Sequence, residues 1–157
     1  MSIQSIAKYF REDHARLDQL FRKFQGLKRS DFGQAGIRFK EFKFGLERHI
    51  AWEEDLLFPL FEAKTGMRNA GPTMVMRMEH IQIRETLGAI QAKINNQNPR
   101  SEEDESALLN VLGAHNQKEE GILYPMIDDA ANDEERREIF EKMNGYPTQS
   151  KEDCSGC

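Results

Sequence analysis

Apolar residues recur along this chain in steps of three and four almost throughout, the spacing of helices that each bury one face. Four stripes stand out. The first runs Ile3, Ile6, Phe10, His14, Leu17, Phe21 and Phe24; the second Phe39, Phe42, Leu46, His49, Glu53, Leu56 and Leu60. The third is Met76, His80, Ile83, Leu87, Ile90 and Ile94, and the fourth Leu108, Leu112, His115, Glu119, Ile122 and Met126. No segment alternates with period two between turn residues, so strands are not expected.

The breakers agree with four helices and a short fifth. Ser2 is a candidate cap for the first helix, and Gly26 and Gly33 bracket the first turn. Gly66 should end the second helix, and Pro72 suits the first position of the third. Asn95 to Pro99 break the chain before Ser101, whose Asp104 would complete a cap for the fourth helix. Pro59 and Pro125 are expected to kink or end their helices. Asn132 with Glu135 should cap a fifth helix, about Asp133 to Met143, ended by Gly145. Short turns between long helices predict an all-α fold, an up-down-up-down antiparallel four-helix bundle. The expected organisation is a bundle over 1–130, a short C-terminal helix over 131–145 and a flexible polar tail over 146–157.

The polar members of the stripes change the picture. The four histidines of the chain all lie on them, and they repeat. A shift of 66 residues carries His14 onto His80, His49 onto His115, Glu53 onto Glu119, Glu54 onto Glu120, Phe58 onto Tyr124 and Pro59 onto Pro125. The midpoints between successive histidines, 31.5, 64.5 and 97.5, fall in or beside the expected turns. Folding back at those turns brings all four imidazoles to one height, about 22–26 Å from each turn at ~1.5 Å per residue.

Residues i and i+4 share a helix face. His49 with Glu53, and His115 with Glu119, therefore offer a nitrogen and a carboxylate to one point inside the core. An unpaired buried carboxylate is costly, several kcal/mol by order of magnitude. Two of them beside four histidines call for cations; a core network of His–Glu hydrogen bonds is the bland alternative. Four imidazoles and two carboxylates are too rich in nitrogen for magnesium or calcium, and there is no thiolate set for structural zinc. Symmetry suggests two histidines per ion with both glutamates bridging. Two non-haem iron ions with an oxo or hydroxo bridge fit best; manganese, zinc or mixed occupancy fits less well.

Composition mostly excludes. The 157 residues suit one domain, and the net charge of −5, with both signs interspersed, offers no basic stripe for nucleic acid. Apolar runs are too short for a membrane span, and the N-terminus lacks the apolar stretch of a secretory signal. A cytoplasmic location is the expectation. The two cysteines, Cys154 and Cys157, form a C-x-x-C at the C-terminus. It is either an exposed dithiol without a special task or a redox or metal-delivery arm. Trp52 either walls a ligand pocket or is simple core. Met76 is packing before it is a ligand, and the acidic run Glu102 to Glu105 favours a helix N-terminus. Glu54 and Glu120 are either solvated charges or acceptors that orient a histidine.

The order His, His-x-x-x-Glu, His, His-x-x-x-Glu, with the approach Gly66 to Pro72 into Glu79-His80, resembles the hemerythrin-like family in its HHE cation-binding form, over about residues 3 to 130. The resemblance implies terminal iron ligands at His14, His49, His80 and His115 and bridging carboxylates at Glu53 and Glu119. It also implies a small gas ligand, oxygen or nitric oxide, held for storage, sensing or detoxification, with an electron donor as a further partner. Two departures matter. Oxygen-carrying hemerythrins have a fifth histidine one turn from the third-helix ligand, where this chain has Met76 and Arg84. Their last carboxylate is an aspartate five residues after its histidine, where this chain has Glu119 at four. The open position could be reached by Glu54, Glu120, Glu79 or Tyr124. The departures keep two alternatives in play: an oxidoreductase that reduces nitric oxide or peroxide or repairs iron–sulfur centres, and a metal-binding or iron-donating protein.

Overall fold

The computed structural model describes residues 4–146. They form α1 (Ile6–Leu27), α2 (Phe32–Trp52), α3 (Phe58–Thr65), α4 (Pro72–Asn95), α5 (Glu102–Lys118), α6 (Tyr124–Ala130) and α7 (Asp133–Asn144). No strand occurs among the described residues, and no helix among them is long and apolar enough to cross a membrane. α1 packs chiefly on α2 and α4 on α5, with α1 on α6, α2 on α4 and α3 on α6 joining the two pairs. Cys154 and Cys157 lie outside the described residues, as does the expected cap Ser2.

The helix starts follow local chemistry, with two corrections. α1 is capped by Ser5, whose hydroxyl accepts from the Lys8 amide at 3.2 Å. Asp128 of α6 adds to that cap by accepting from the Ile6 and Ala7 amides at 3.0 and 2.9 Å. Ser101 holds the N-cap position of α5 but makes no capping bond. Its hydroxyl donates to Glu105 at 2.6 Å, and Asp104 pairs with Lys93 at 2.7 Å. The Ser101 hydroxyl thus joins Glu105, which the buried Lys28 also binds, and Lys93 holds Asp104, so neither side chain caps the helix. The Asn132–Glu135 capping box of α7 is present as expected. Gly66 ends α3 at φ 77°, a left-handed conformation that favours glycine.

The prolines do not end their helices. Pro59 and Pro125 lack the amide an α-helix needs and would strike the carbonyl four residues back. One wide π turn precedes each, Glu53–Leu57 and Glu119–Leu123, in which the Phe58 amide reaches Glu53 O and the Tyr124 amide reaches Glu119 O. This i→i−5 closure makes room for the ring, and the chain continues as α3 and α6. It also changes which residues share a face. The residue five after each glutamate, Phe58 or Tyr124, now points inward with it.

The core is split in two. Leu17, Phe21, Phe24, Phe39, Phe42, Leu87 and Leu108 belong to one apolar cluster. Ile6, Phe10, Trp52, Phe58, Phe61, Leu123 and Ile127 belong to the other, which α7 closes with Ile139 and Met143. On α1 and α4, and along α5 into the π turn that follows it, the ligand-type histidine falls between the residues of the two clusters, so a polar layer separates two apolar ones.

Candidate metal centre

His14 on α1, His49 on α2, His80 on α4 and His115 on α5 meet in that layer with Glu53 and Glu119, which open the two π turns. All six are buried, the glutamates completely. The histidines pair, His14 with His49 at 4.6 Å between ring centroids and His80 with His115 at 4.9 Å. Each glutamate puts one oxygen toward each pair. Glu119 Oε1 is 3.3 Å from His14 Nε2 and its Oε2 3.1 Å from His115 Nε2. Glu53 Oε1 is 3.1 Å from His80 Nε2 and its Oε2 3.5 Å from His49 Nε2. Two groups that could hold an ion result: Glu53, His80, His115 and Glu119 in one, His14, His49 and Glu119 in the other.

An outer ring of acids sets the imidazoles. The Nδ1 of His14, His49, His80 and His115 contacts Glu120 (2.8 Å), Asp13 (2.8 Å), Glu54 (2.7 Å) and Glu79 (2.9 Å) respectively. A carboxylate here takes the Nδ1–H, so that loss of the other ring proton leaves Nε2 facing inward with its lone pair, the tautomer a metal needs. Glu54 and Glu120 are thus orienting acceptors, and Glu79 orients His115 rather than filling a coordination gap. Asp13 is the member sequence reasoning missed. Its signal was present, because the 66-residue shift carries Asp13-His14 onto Glu79-His80. Arg16, Arg84 and Lys118 tie Asp13, Glu54 and Glu79 in turn.

The inner ring fits a cation on its own chemistry. Glu53 Oε1, His80 Nε2 and Glu119 Oε2 are buried without a hydrogen-bond partner among the described residues. His80 Nε2 and Glu53 Oε1 lie close enough for an ion pair yet lack hydrogen-bond alignment. Buried polar groups are rarely left so. In the metal-free protein the charges compensate one another. Burial pulls the His49 pKa down, but the Glu53 charge and the Asp13 hydrogen bond raise it to about 10. Burial likewise opposes His80, which Glu53 and Glu54 raise to about 9. Burial pushes the Glu53 carboxyl up, and the His49 charge overrides it to hold Glu53 well below the usual range.

Tyr124 stands inside this ring. Its hydroxyl lies 2.5 Å from Glu53 Oε2 and 2.9 Å from Glu119 Oε1. Burial, then the charges of Glu119 and Glu53, push its pKa well above the ordinary value, so the metal-free protein keeps the phenol protonated. Phe58, its repeat partner, stacks on His80 instead, at 5.8 Å and 9°. Trp52 is core: it packs with Tyr9 and Phe10 under the Arg48 guanidinium. Met76 is buried in the same apolar cluster. A cavity of about 520 Å³ beside α1 and α5 reaches His14 and Glu120 and is lined by Arg11, Arg22, Leu112 and Gly113.

The pattern of the hemerythrin HHE cation binding domain matches residues 5–127 of the chain. No curated protein and no solved structure matches it. The matched span takes in all six inner-ring residues and most of the described helices, and the chain therefore belongs to the hemerythrin family of HHE cation-binding domains.

Proposed function

We propose that the protein is a non-haem di-iron protein that binds a small diatomic gas, oxygen or nitric oxide, in the core of a four-helix bundle made by α1, α2 with α3, α4, and α5 with α6. In this reading His14 and His49 are terminal ligands of one iron, His80 and His115 of the other, and Glu53 and Glu119 bridge them. The observation that carries it is the inner ring: three buried donor atoms without partners, surrounded by imidazoles whose Nδ1 atoms are already engaged. When bound, the iron pair supplies reversible one-electron chemistry and open coordination positions for the gas. The chain supplies the rest. The outer acids hold the imidazoles in place, the two apolar clusters limit water, and the cavity beside His14 gives a small molecule its approach.

A second reading, reduction of nitric oxide or peroxide with an external electron donor, is favoured by the third-helix surroundings. Met76 is packed in the apolar cluster and Arg84 is drawn to Glu54 at 3.3 Å, so neither replaces the absent fifth imidazole. One experiment tests both. Iron content is measured on protein purified without added metal, and ultraviolet–visible spectra are taken before and after reduction and exposure to each gas. Two irons per chain and a gas-dependent spectrum support the first reading, and multiple turnover with a reductant moves the assignment to the second. Absence of iron, or a spectrum silent to both gases, overturns the proposal.

A further inference from the structure

The two halves of the inner ring differ at one pair of equivalent positions. Phe58 and Tyr124 each follow a bridging-type glutamate by five residues, and each is turned inward by its π turn. Phe58 offers no donor atom. Tyr124 brings a hydroxyl, and the four atoms facing the His14–His49 side surround it: Glu53 Oε2 at 2.5 Å, Glu119 Oε1 at 2.9 Å, His49 Nε2 at 3.1 Å and His14 Nε2 at 3.3 Å. A phenol has one proton to give, so it cannot donate to both carboxylates at once. Its oxygen lies among the donors of that side, not behind them. The donors of the other side, Glu53 Oε1, His80 Nε2 and Glu119 Oε2, are the atoms without partners.

We propose that the two ion positions are inequivalent: the His80–His115 position takes metal first, and the His14–His49 position takes the phenolic oxygen of Tyr124 as a further ligand. This rests on the di-iron reading. Filling the first position breaks no hydrogen bond of Tyr124. Filling the second replaces the one bond its hydroxyl donates, to Glu53 or to Glu119. The O–H bond breaks, the oxygen–metal bond forms, and the proton passes to solvent. Tyr124 is fully buried, so a phenolate oxygen there has the ion as the cation beside it. Tyrosine oxygen is an established ligand for iron in other protein sites. The asymmetry therefore comes from a single difference between the repeats, Phe58 against Tyr124.

The test uses the metal-free full chain. Ferrous iron is added anaerobically in fractional steps, each sample is oxidised with ferricyanide, and iron bound to the protein is assayed separately. A phenolate-to-ferric charge-transfer band in the visible, with tyrosine ring modes in resonance Raman, should appear only between the first and second equivalents. Tyr124→Phe should bind iron and lack the band entirely; phenylalanine at the equivalent position 58 shows that the ring is tolerated there. A wild-type protein holding two irons without the band overturns the assignment. So does a band complete at the first equivalent, or one that persists in Tyr124→Phe. Failure of the wild type to retain iron is a different result, which overturns the di-iron reading and this inference with it.

Discussion

Asp13 lies 2.8 Å from Nδ1 of His49, on the next helix, and not against His14 beside it in the chain. Glu79 does the same for His115 across α4 and α5. Each helix pair is thereby cross-braced by an acid that precedes one histidine and orients the next. These acids contact the inner-ring imidazoles only at Nδ1, away from the inward-facing Nε2, so they act as positioning residues. Asp13→Asn and Glu79→Gln should each weaken metal binding by about 10–100-fold. The measurement is competition against a chromogenic chelator; affinity unchanged in both variants would refute the bracing role. Far-ultraviolet circular dichroism should stay as in the wild type.

Glu119 faces both histidine pairs, through separate oxygens. Glu119→Gln keeps the shape but removes the negative charge and turns one of the two oxygens into an NH2, so that it can serve one ion position and not both. Bound iron should fall from two per chain to one or fewer. Retention of two irons, read by elemental analysis after gel filtration, would show that Glu119 does not bridge.

Much of this centre was legible in the sequence, and the exceptions share one cause. The inner six residues follow from i, i+4 spacing and a 66-residue repeat, both of which survive wherever the helix is regular. The inward turn of Tyr124 does not follow, because it stands five residues after Glu119, off the face an α-helix would give. The π turn that brings it round answers to Pro125 one residue later. Proline alone predicts a kink or an end, whereas a wide turn before it lets the helix continue. The outer acids were legible only in part, since nothing local tells Asp13 that its partner is His49. The caps are legible only in part for the same reason: Ser5, helped by Asp128, caps α1 where Ser2 is expected, and Ser101 holds its N-cap position while its hydroxyl turns to Glu105, the partner of the distant Lys28.

The metal-free protein should lose stability as pH rises. His49 and His80 are held at about 10 and about 9, against 6.5 for an ordinary histidine. A raised pKa means that the folded state binds the proton more tightly than the unfolded chain. That contribution is complete below pH 6.5 and disappears as pH passes through 9 to 10. The loss should be on the order of a few kcal/mol, seen as a falling Tm between pH 6.5 and 10. Metal requires neutral imidazoles, so loading releases protons and tightens over the same interval. A Tm of the metal-free protein that climbs with pH would contradict the charge arrangement described here.

Gly113 lines the cavity that leads to His14, and a Cβ there would meet nothing within 4 Å. Gly113→Leu should fill part of that space while improving helix propensity by up to ~1 kcal/mol. Binding of azide or nitric oxide to the loaded protein should slow several-fold, with Tm equal or higher. Gly88, equally open but away from this cavity, gives the control: Gly88→Leu should leave the stopped-flow rate alone. Equal rates in the two variants would place the approach elsewhere.

Lys28 separates stability from the metal centre. It caps the C-terminal end of α1, 14 residues beyond His14 and about 20 Å away at ~1.5 Å per residue, and is only 7% exposed. Its ammonium binds Glu105 and Glu102 and donates to the Pro99 carbonyl at 3.3 Å, joining the end of α1 to the start of α5. Glu105 is 3% exposed and keeps only Ser101 and Gln25 if Lys28 is removed. Lys28→Met should therefore cost about 3–5 kcal/mol, the usual consequence of breaking a buried ion pair at one end. Lys28→Met combined with Glu105→Leu should recover most of that loss, because no uncompensated charge remains. Iron content and the visible spectrum of the folded variants should match the wild type. A single variant as stable as wild type in urea would mean that Glu105 finds water or another cation, and that the ion pair contributes little to holding α1 against α5.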